Sequence, residues 1–488
     1  METIQNDNNH NEKFFSMSEF RHMAGIPLIV ARKLVVWGEV RAVKTIDGTV
    51  VIAETEVIRV MELAKNPWKK MHLFFRALGP GLITGASDDD PSGIGTYSSV
   101  GAKFGLSILW MAVWLLPMMM AIQEVCARIG IVTNHGLAGV LQRHYKKRIV
   151  GGIVVLLIIA NVVNIGADLG AMASALNMLT HINFYIAALL FAAVSIVCEI
   201  FIGYRIYVRV LKWLTISVLA YVVTGFIIHP AWREIFHFAF VPQFLPDESY
   251  VFAMIAVFGT SITPYLFFWQ TSEEVEENRM EKRSAIIPLK KEKHGLTTKI
   301  RKMRTDVGTG MFLANSVFFF IIITTAQVLH QNGIYNIESA DQAAMALRPL
   351  AGEHAFLLFS IGLICTGMLA VPILAGSGAY ALAEVMKWHE GLEEKFSHAK
   401  GFYMIIVISI LFGLSLNFFH INPIMALYYA AFINGVIALP LLVVIMIVGD
   451  DKHIMGRETH PWWVRVCGWA SIVFVTCLII AAIFLLIL

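Results

Sequence analysis

The chain has 488 residues, of which 57% are hydrophobic and only 15% charged. Soluble globular domains carry about 25% charged residues, so this composition, with a mean hydropathy of +0.68, excludes a chain that mostly faces water. The net charge of +3 singles out no partner, nucleic acid included; the lipid bilayer is the expected surrounding.

The first residues, METIQNDNNHNEKFF, are polar and cannot form the apolar core of a cleavable leader. The first hydrophobic helix is therefore expected to be retained. Residues 1–75 read as a cytoplasmic N-terminal region. Within it Val35–Glu56 alternates apolar and polar residues around Asp47-Gly48, the pattern of a small β-hairpin with a tight turn.

Eleven apolar segments follow, near 76–102, 106–131, 149–176, 184–203, 211–229, 249–272, 307–330, 354–386, 401–419, 423–449 and 463–488. Each is about 20 residues long, enough to cross the hydrocarbon as a helix. A barrel would show short alternating strands instead. The fold class is thus an all-α polytopic membrane protein. The spans group as a five-helix repeat over 76–229, a second over 249–449 and an eleventh helix at 463–488.

Loop charge sets the expected orientation. Arg143, Lys146, Lys147 and Arg148 follow the second span, and Arg205, Arg209 and Lys212 the fourth. The 276–305 loop carries Arg279, Lys282, Arg283, Lys290, Lys291, Lys293, Lys299, Arg301, Lys302 and Arg304. Lys387, Lys395 and Lys400 follow the eighth span, and Lys452, Arg457 and Arg465 the tenth. Positive residues stay cytoplasmic, which puts the N-terminus inside and the C-terminus outside. The five cysteines, Cys126, Cys198, Cys365, Cys467 and Cys477, lie in apolar segments without metal-ligand spacing and are expected to be buried thiols.

The first span holds the chemistry. Ala77–Ser87 runs into Asp88-Asp89-Asp90-Pro91-Ser92-Gly93-Ile94-Gly95. A charge at the membrane centre costs about 3 kcal/mol or more and is rarely idle. Pro91 removes an N–H and clashes with the preceding turn, and Gly93 and Gly95 weaken the helix further. The helix is expected to unwind here, freeing carbonyls beside a carboxylate, a hard-oxygen site suited to Mg²⁺, Mn²⁺ or Ca²⁺. The sixth span supplies a partner, Phe258-Gly259-Thr260-Ser261-Ile262-Thr263-Pro264-Tyr265, with its own mid-span proline. Two interrupted spans, each opening a five-helix half, point to an inverted-repeat transporter with its site at the midplane.

The stretch from Gly79-Pro80-Gly81 through Asp90-Pro91, then Gly101-Ala102-Lys103-Phe104-Gly105 and Cys126-Ala127-Arg128-Ile129-Gly130-Ile131-Val132-Thr133, resembles the NRAMP metal-ion transporters. The resemblance implies a LeuT-like fold with helices 1 and 6 broken, and carriage of divalent metals, usually with protons; the cargo is an ion and no cofactor is implied. Where that family reads Asp-Pro-Gly-Asn, this chain has Asp90-Pro91-Ser92-Gly93; where it reads Met-Pro-His, this chain has Thr263-Pro264-Tyr265. The soft thioether is replaced by a hydroxyl, and the smaller Gly93 and Thr263 leave room. Mg²⁺ gives up water reluctantly, so a roomy oxygen site suits its partial hydrate. In this the chain is most similar to the NRAMP-related magnesium transporters.

By the same matching, Asp90 supplies the charge, Ser87 and Thr260 offer carbonyls, Thr263 its hydroxyl, and Gly93 space or backbone. Asp89, Asp168, Glu124, Tyr265 and Asn434 are candidates for gating or coupling. Asp168 matches the first acidic group of the family's proton route on the third span, while Ala171 stands where its glutamate would be, and 401–419 lacks the family's arginine pair. The resemblance therefore implies weak or absent proton coupling. Glu124 has i,i+4 spacing to Arg128, which suits a structural pair. Glu199 and Glu384, near helix ends, are expected to snorkel, and Gly376-Ser377-Gly378 to allow close packing. Competing readings are a proton-coupled transition-metal carrier, disfavoured by the missing Met and Asn, and an amino-acid transporter of the same fold, whose anionic substrate three aspartates would repel. No zinc-ligand helix, nucleotide loop or Ser/His/Asp arrangement suggests an enzyme.

Overall fold

The computed structural model describes residues 13–26, 31, 34–35, 40–44, 50–65, 80–202, 218–283, 295–392, 394, 396–419 and 421–487. The turn at Asp47-Gly48, residues 77–79, Arg205, Arg209 and Lys212 with 211–217 of the fifth span, Lys290, Lys291 and Lys293, and Lys395 lie outside them. The chain divides into two compact units, residues 1–80 with 275–302, and 81–274 with 303–488.

In the smaller unit, β1 (Phe14–Ser16), β2 (Ala42–Lys44) and β3 (Val50–Ala53) form an antiparallel sheet in the order β1-β3-β2. Its register pairs Phe15 with Ile52 and Val43 with Val51. Alternation along β3 turns Val50 and Ile52 inward. Ser16 starts α1 (Met17–Ala24) through a reciprocal capping box with Glu19, and Gly25 ends it at φ 60°. With α2 (Glu54–Lys65), these elements enclose a core of Phe20, Ile52, Val57 and Val60.

The larger unit is helical. In chain order its helices of eight or more residues are α3 (Pro80–Asp88), α4 (Pro91–Phe104), α5 (Trp110–Thr133), α6 (Leu137–His144), α7 (Lys147–Thr180), α8 (Phe184–Phe201), α9 (Ala220–Ile227), α10 (Trp232–Phe240), α11 (Glu248–Ser261), α12 (Pro264–Arg283), α13 (Gly295–Val328), α14 (Ala355–Met386), α15 (Lys400–Leu416), α16 (Pro423–Asp450) and α17 (Trp462–Ile487), with α12 after Glu274 and α13 up to Lys302 belonging to the smaller unit. Among the described residues, nine helical stretches are long and apolar enough to cross a membrane. The expected first span, carried by α3 and α4, is not one of the nine; every stretch of 18 residues across it includes Asp88, Asp89 and Asp90, which lower its apolar character. Much of the expected 276–305 loop is helix, with α12 running to Arg283 and α13 starting at Gly295. Its charged residues are good helix formers, and the helices simply continue past their apolar parts.

Glycines set the helix spacing where backbones meet. A side chain at Gly81 would strike the backbone of Asp306 and Val307, and one at Gly85 the backbone of Gly310, so α3 lies directly on α13. Asp306 also accepts a hydrogen bond from the Gly81 N–H at 3.0 Å, serving a donor at the start of α3 that lacks a partner within the helix. Gly259 and Gly435 bring α11 onto α16 in the same way. Between α7 and α14, Asn161 donates to the Leu374 carbonyl and the Ser377 hydroxyl, both at 2.8 Å. Gly376 meanwhile makes room for Trp269, so this motif serves packing.

Two expectations about polar groups need correction. Cys126 and Cys365 are buried, but Cys198 and Cys467 are half-buried and Cys477 is exposed. An apolar helix at the periphery turns one side to lipid, so apolar sequence does not imply protein burial. Glu199 does not snorkel. It is buried, and neither carboxylate oxygen has a hydrogen-bond partner among the described residues. Glu384 accepts from the Gly139 N–H at 2.8 Å, in the first turn of α6, where Gly136 and Gly139 leave it space.

Gly85→Ala should lower the thermal midpoint of the detergent-purified protein, because overpacking against unyielding backbone costs about 1–3 kcal/mol. Gly308→Ala, which meets only the movable end of Met120, should leave it nearly unchanged. Equal midpoints for the two variants would contradict the α3–α13 contact.

Candidate functional site

Both interrupted spans break at their prolines. Helix α3 ends at Asp88 and α4 restarts at Pro91, while α11 ends at Ser261 and α12 restarts at Pro264. At the first joint Asp90 takes an extended conformation and becomes the N-cap of α4, with Pro91 in its first turn. Asp90 Oδ1 accepts from the Gly93 N–H at 2.7 Å. A side chain at Gly93 would come within 3.2 Å of the Asp88 carbonyl and 3.6 Å of Asp90 Oδ1.

The second joint closes over the first. The Tyr265 hydroxyl, on the first turn of α12, lies 2.8 Å from the Ser87 carbonyl and 3.3 Å from Asp90 Oδ2, to which it can donate. Thr84 donates to Gln270 at 2.5 Å, and Gln270 donates to Glu274 at 3.1 Å. These bonds tie α3 to α12. On the other side of the joints, the Tyr97 and Ser261 hydroxyls are 3.0 Å apart and tie α4 to α11, with Tyr97 stacked on Phe318 at 4.1 Å. The half-helices thus pair crosswise, first half with last half.

Ser87, Asp90, Gly93 and Tyr265 are brought together directly. Thr260 and Thr263 flank the second joint, 1% exposed, and their hydroxyls have no hydrogen-bond partner among the described residues. Asp88 and Asp89 are buried beside Asp90. Asp168, on α7, is 0% exposed, close enough to Asp90 for the two charges to repel, and faces the Ser92 backbone. Met172, one turn further along α7, packs beside Pro91 against Gly367 of α14. Asn434 is buried on α16 with its amide nitrogen unpaired among the described residues. Among the described residues no contact places it at Asp90. The same residues contain no group of three or more His, Cys, Asp or Glu arranged as a metal centre. What the joints offer instead is one capped carboxylate surrounded by carbonyl and hydroxyl oxygens, a hard donor set.

Glu124 belongs elsewhere. Its carboxylate accepts from Arg128 at 2.5 Å and twice from Arg304 at 2.8 Å, linking α5 to the start of α13. Glu124 and Arg128 are 1% and 4% exposed, whereas Arg304 is 43% exposed. Arg304 counts in the sequence only as a topology signal, and its ion pair carries no local pattern. His460, in the connection before α17, is buried against Gly449 near this network. Burial, with Arg128 and Arg465 nearby, holds its imidazole down at about 4 despite the acidic pull of Asp450 and Glu124.

Residues 81–485 match the model of the natural resistance-associated macrophage protein-like (Nramp) family. The chain belongs to this family. Two proteins of Klebsiella pneumoniae called divalent metal cation transporter MntH are 27% and 26% identical over 407 residues, 82% of this chain and 92% of each relative. A manganese transporter of Eremococcus coleocola has the same fold at a TM-score of 0.64, with 18% identity over 83% of this chain and 86% of that one. Mhp1, a nucleobase-cation-symport-1 family transporter, follows at 0.52, with 14% identity over 83% and 92% of the two chains. The Nramp chain described here therefore has the LeuT-like inverted-repeat fold, with its first and sixth helices broken.

Two outcomes test the ion network. Glu124→Gln leaves the Arg128 charge buried with a weakened partner and should destabilise the protein by about 3 kcal/mol, read as a lower unfolding midpoint; Arg304→Gln, at an exposed partner, should cost under about 1 kcal/mol. The His460 imidazole binds protons more weakly folded than unfolded. Stability should therefore fall as pH drops from about 6.5 toward 4, and His460→Gln should flatten that part of the stability–pH curve.

Proposed function

We propose that this Nramp chain carries hard divalent cations, Mg²⁺ and also Mn²⁺, across the cell membrane by alternating access, with weak or absent proton coupling. The observation that carries this reading is Asp90: a buried carboxylate at a helix break, capped by the Gly93 N–H and ringed by oxygen donors. The names of its relatives support divalent metals as the class of cargo. The preference within that class is argued from the donors. Thr263 presents oxygen where a thioether would favour softer ions. Gly93 keeps the mouth of the site wide enough for an ion that retains waters.

In this reading Asp90 is the fixed charge, Ser87 and Thr260 contribute carbonyls, Thr263 a hydroxyl, and Tyr265 closes the site between the half-helices. Access alternates when the α3–α12 and α4–α11 pairs tilt about the joints at Asp89-Asp90 and Ile262-Thr263. Loop charge supports a cytoplasmic N-terminus and an external C-terminus. Weak proton coupling is supported by Ala171, one turn from Asp168, and by the absence of arginine from the apolar part of α15, since a relay needs successive titratable groups.

Proteoliposome uptake tests the reading. Asp90→Asn should abolish Mg²⁺ uptake, and Thr263→Met should shift preference toward Mn²⁺ or Cd²⁺ on the order of tenfold, about 1.4 kcal/mol. Mg²⁺ influx should proceed without stoichiometric acidification of the lumen. Unchanged selectivity and uptake in both variants would refute the site, and robust acidification would refute the uncoupled mechanism.

A further inference from the structure

The connection between the fifth and sixth spans opens an apolar surface outward. In it α10 packs on α5, with Ile235 and Ala239 buried. Phe236 and Phe240 take the neighbouring stripe of the helix, four residues apart, and are 54% and 59% exposed. Phe244 and Leu245, in the chain that follows, are 65% and 44% exposed. Arg233, Glu234 and His237 are exposed on the remaining side. The helix thus has three faces: one against the protein, one apolar and open, one polar and open. A contiguous open apolar surface rimmed by polar groups marks a contact surface.

Aromatic rings carry this surface onto the spans without a break. Phe226, near the end of α9 and itself exposed, lies 5.2 Å from Phe320 of α13 and 5.4 Å from Trp232, which lies 6.2 Å from Phe236. The occupant that covers the open apolar side of α9 is the bilayer, and the same occupant continues over α10. The polar face excludes full immersion, because Arg233 and Glu234 need water. Over residues 229–248 Arg233 stands against Glu234, Asp247 and Glu248, all exposed, so anionic headgroups are not what attracts this segment. The segment is also held firmly. Phe244 lies 5.1 Å from the Trp110 ring. The Tyr250 hydroxyl, in the first turn of α11, lies 2.8 Å from the Gln243 and Ser107 carbonyls and accepts from the Trp110 indole at 3.4 Å.

We propose that α10, with Phe244 and Leu245, is an interfacial anchor whose partner is an uncharged lipid surface. The helix lies in the membrane plane, its phenylalanine face sunk about 5–10 Å into the boundary between headgroups and acyl chains, its polar face in water. Trp232 sits at the level where aromatic rings gather along a bilayer. Adhesion comes from apolar burial rather than charge. In the orientation that loop charge supports, the leaflet is the external one. The bonds at Tyr250 join the anchored segment to the first turn of α11. The anchor therefore holds the outer end of the half-helix whose other end, Thr260 and Ser261, meets the second joint.

The test is tryptophan fluorescence of the full chain in phosphatidylcholine nanodiscs, read as each variant minus wild type. Phe240→Trp adds a fluorophore on the apolar face, and Glu234→Trp adds one on the polar face. With acyl chains brominated close to the headgroups, the emission added by Phe240→Trp should fall about twofold or more, while acrylamide in the water leaves it nearly unchanged. The emission added by Glu234→Trp should respond the other way. Phe244→Trp reads the same apolar surface and keeps the test open if Phe240→Trp folds poorly. Acrylamide quenching of both variants alike would put the phenylalanine face in water and overturn the anchor. Resistance of the Phe240→Trp emission to both quenchers would place a second copy of the chain on that face, and the lipid assignment would fall as well.

Discussion

The structure turns on one buried carboxylate and the helix end that makes its burial tolerable. A continuous first span would leave Asp90 against backbone already bonded within the helix. Breaking the span at Pro91 exposes the unsatisfied N–H groups of a new helix start, and Asp90 takes one of them from Gly93. The positive end of the α4 dipole acts in the same direction. A hydrogen bond to a charged group contributes about 1.5–3 kcal/mol, the same order as the cost of the charge in the membrane. Proline is what converts an expensive residue into a capped one, because it occupies a first-turn position that needs no donor.

The second broken helix answers the same constraint from the opposite direction. Tyr265 reaches back to Ser87 and Asp90, and Tyr97 reaches forward to Ser261. Each half-helix is therefore hydrogen-bonded to a half of the other span. Close glycine contacts then fix α3 on α13 and α11 on α16. At the joints the helical ladder is reduced to the flanking bonds from the Ile94 N–H to the Asp90 carbonyl and from the Ile262 N–H to the Phe258 carbonyl, so a tilt of one pair against the other strains less backbone there than in a continuous helix. The proposed alternating access would use these joints as its hinge.

How much of this could be read from residues alone follows from the range of the signals. The two breaks were legible, because a mid-span proline with flanking glycines acts locally. The cluster of Ser87, Asp90 and Gly93 was legible for the same reason. Its closure by the Tyr265 hydroxyl depends on two helices 175 residues apart in sequence and has no local pattern. The Glu124 partnership with Arg128 shows in i,i+4 spacing, but Arg304 joins it from 180 residues away. The exposed Cys477 and the buried Glu199 fail in opposite senses. In a membrane chain hydropathy reports contact with either lipid or protein, and it cannot say which.

Selectivity in such a site is a balance between the water an ion must lose and the oxygens that replace it. A thioether shifts the balance by polarisability, whereas a hydroxyl at Thr263 leaves it to charge and geometry. Gly93 shifts it again by removing a side chain that would stand beside Asp88 and Asp90. In the proposed reading both substitutions act on the face nearest the metal, where they would favour an ion that keeps part of its shell. A retained shell needs acceptors of its own further out, and a wide site without them would trade hydration for nothing.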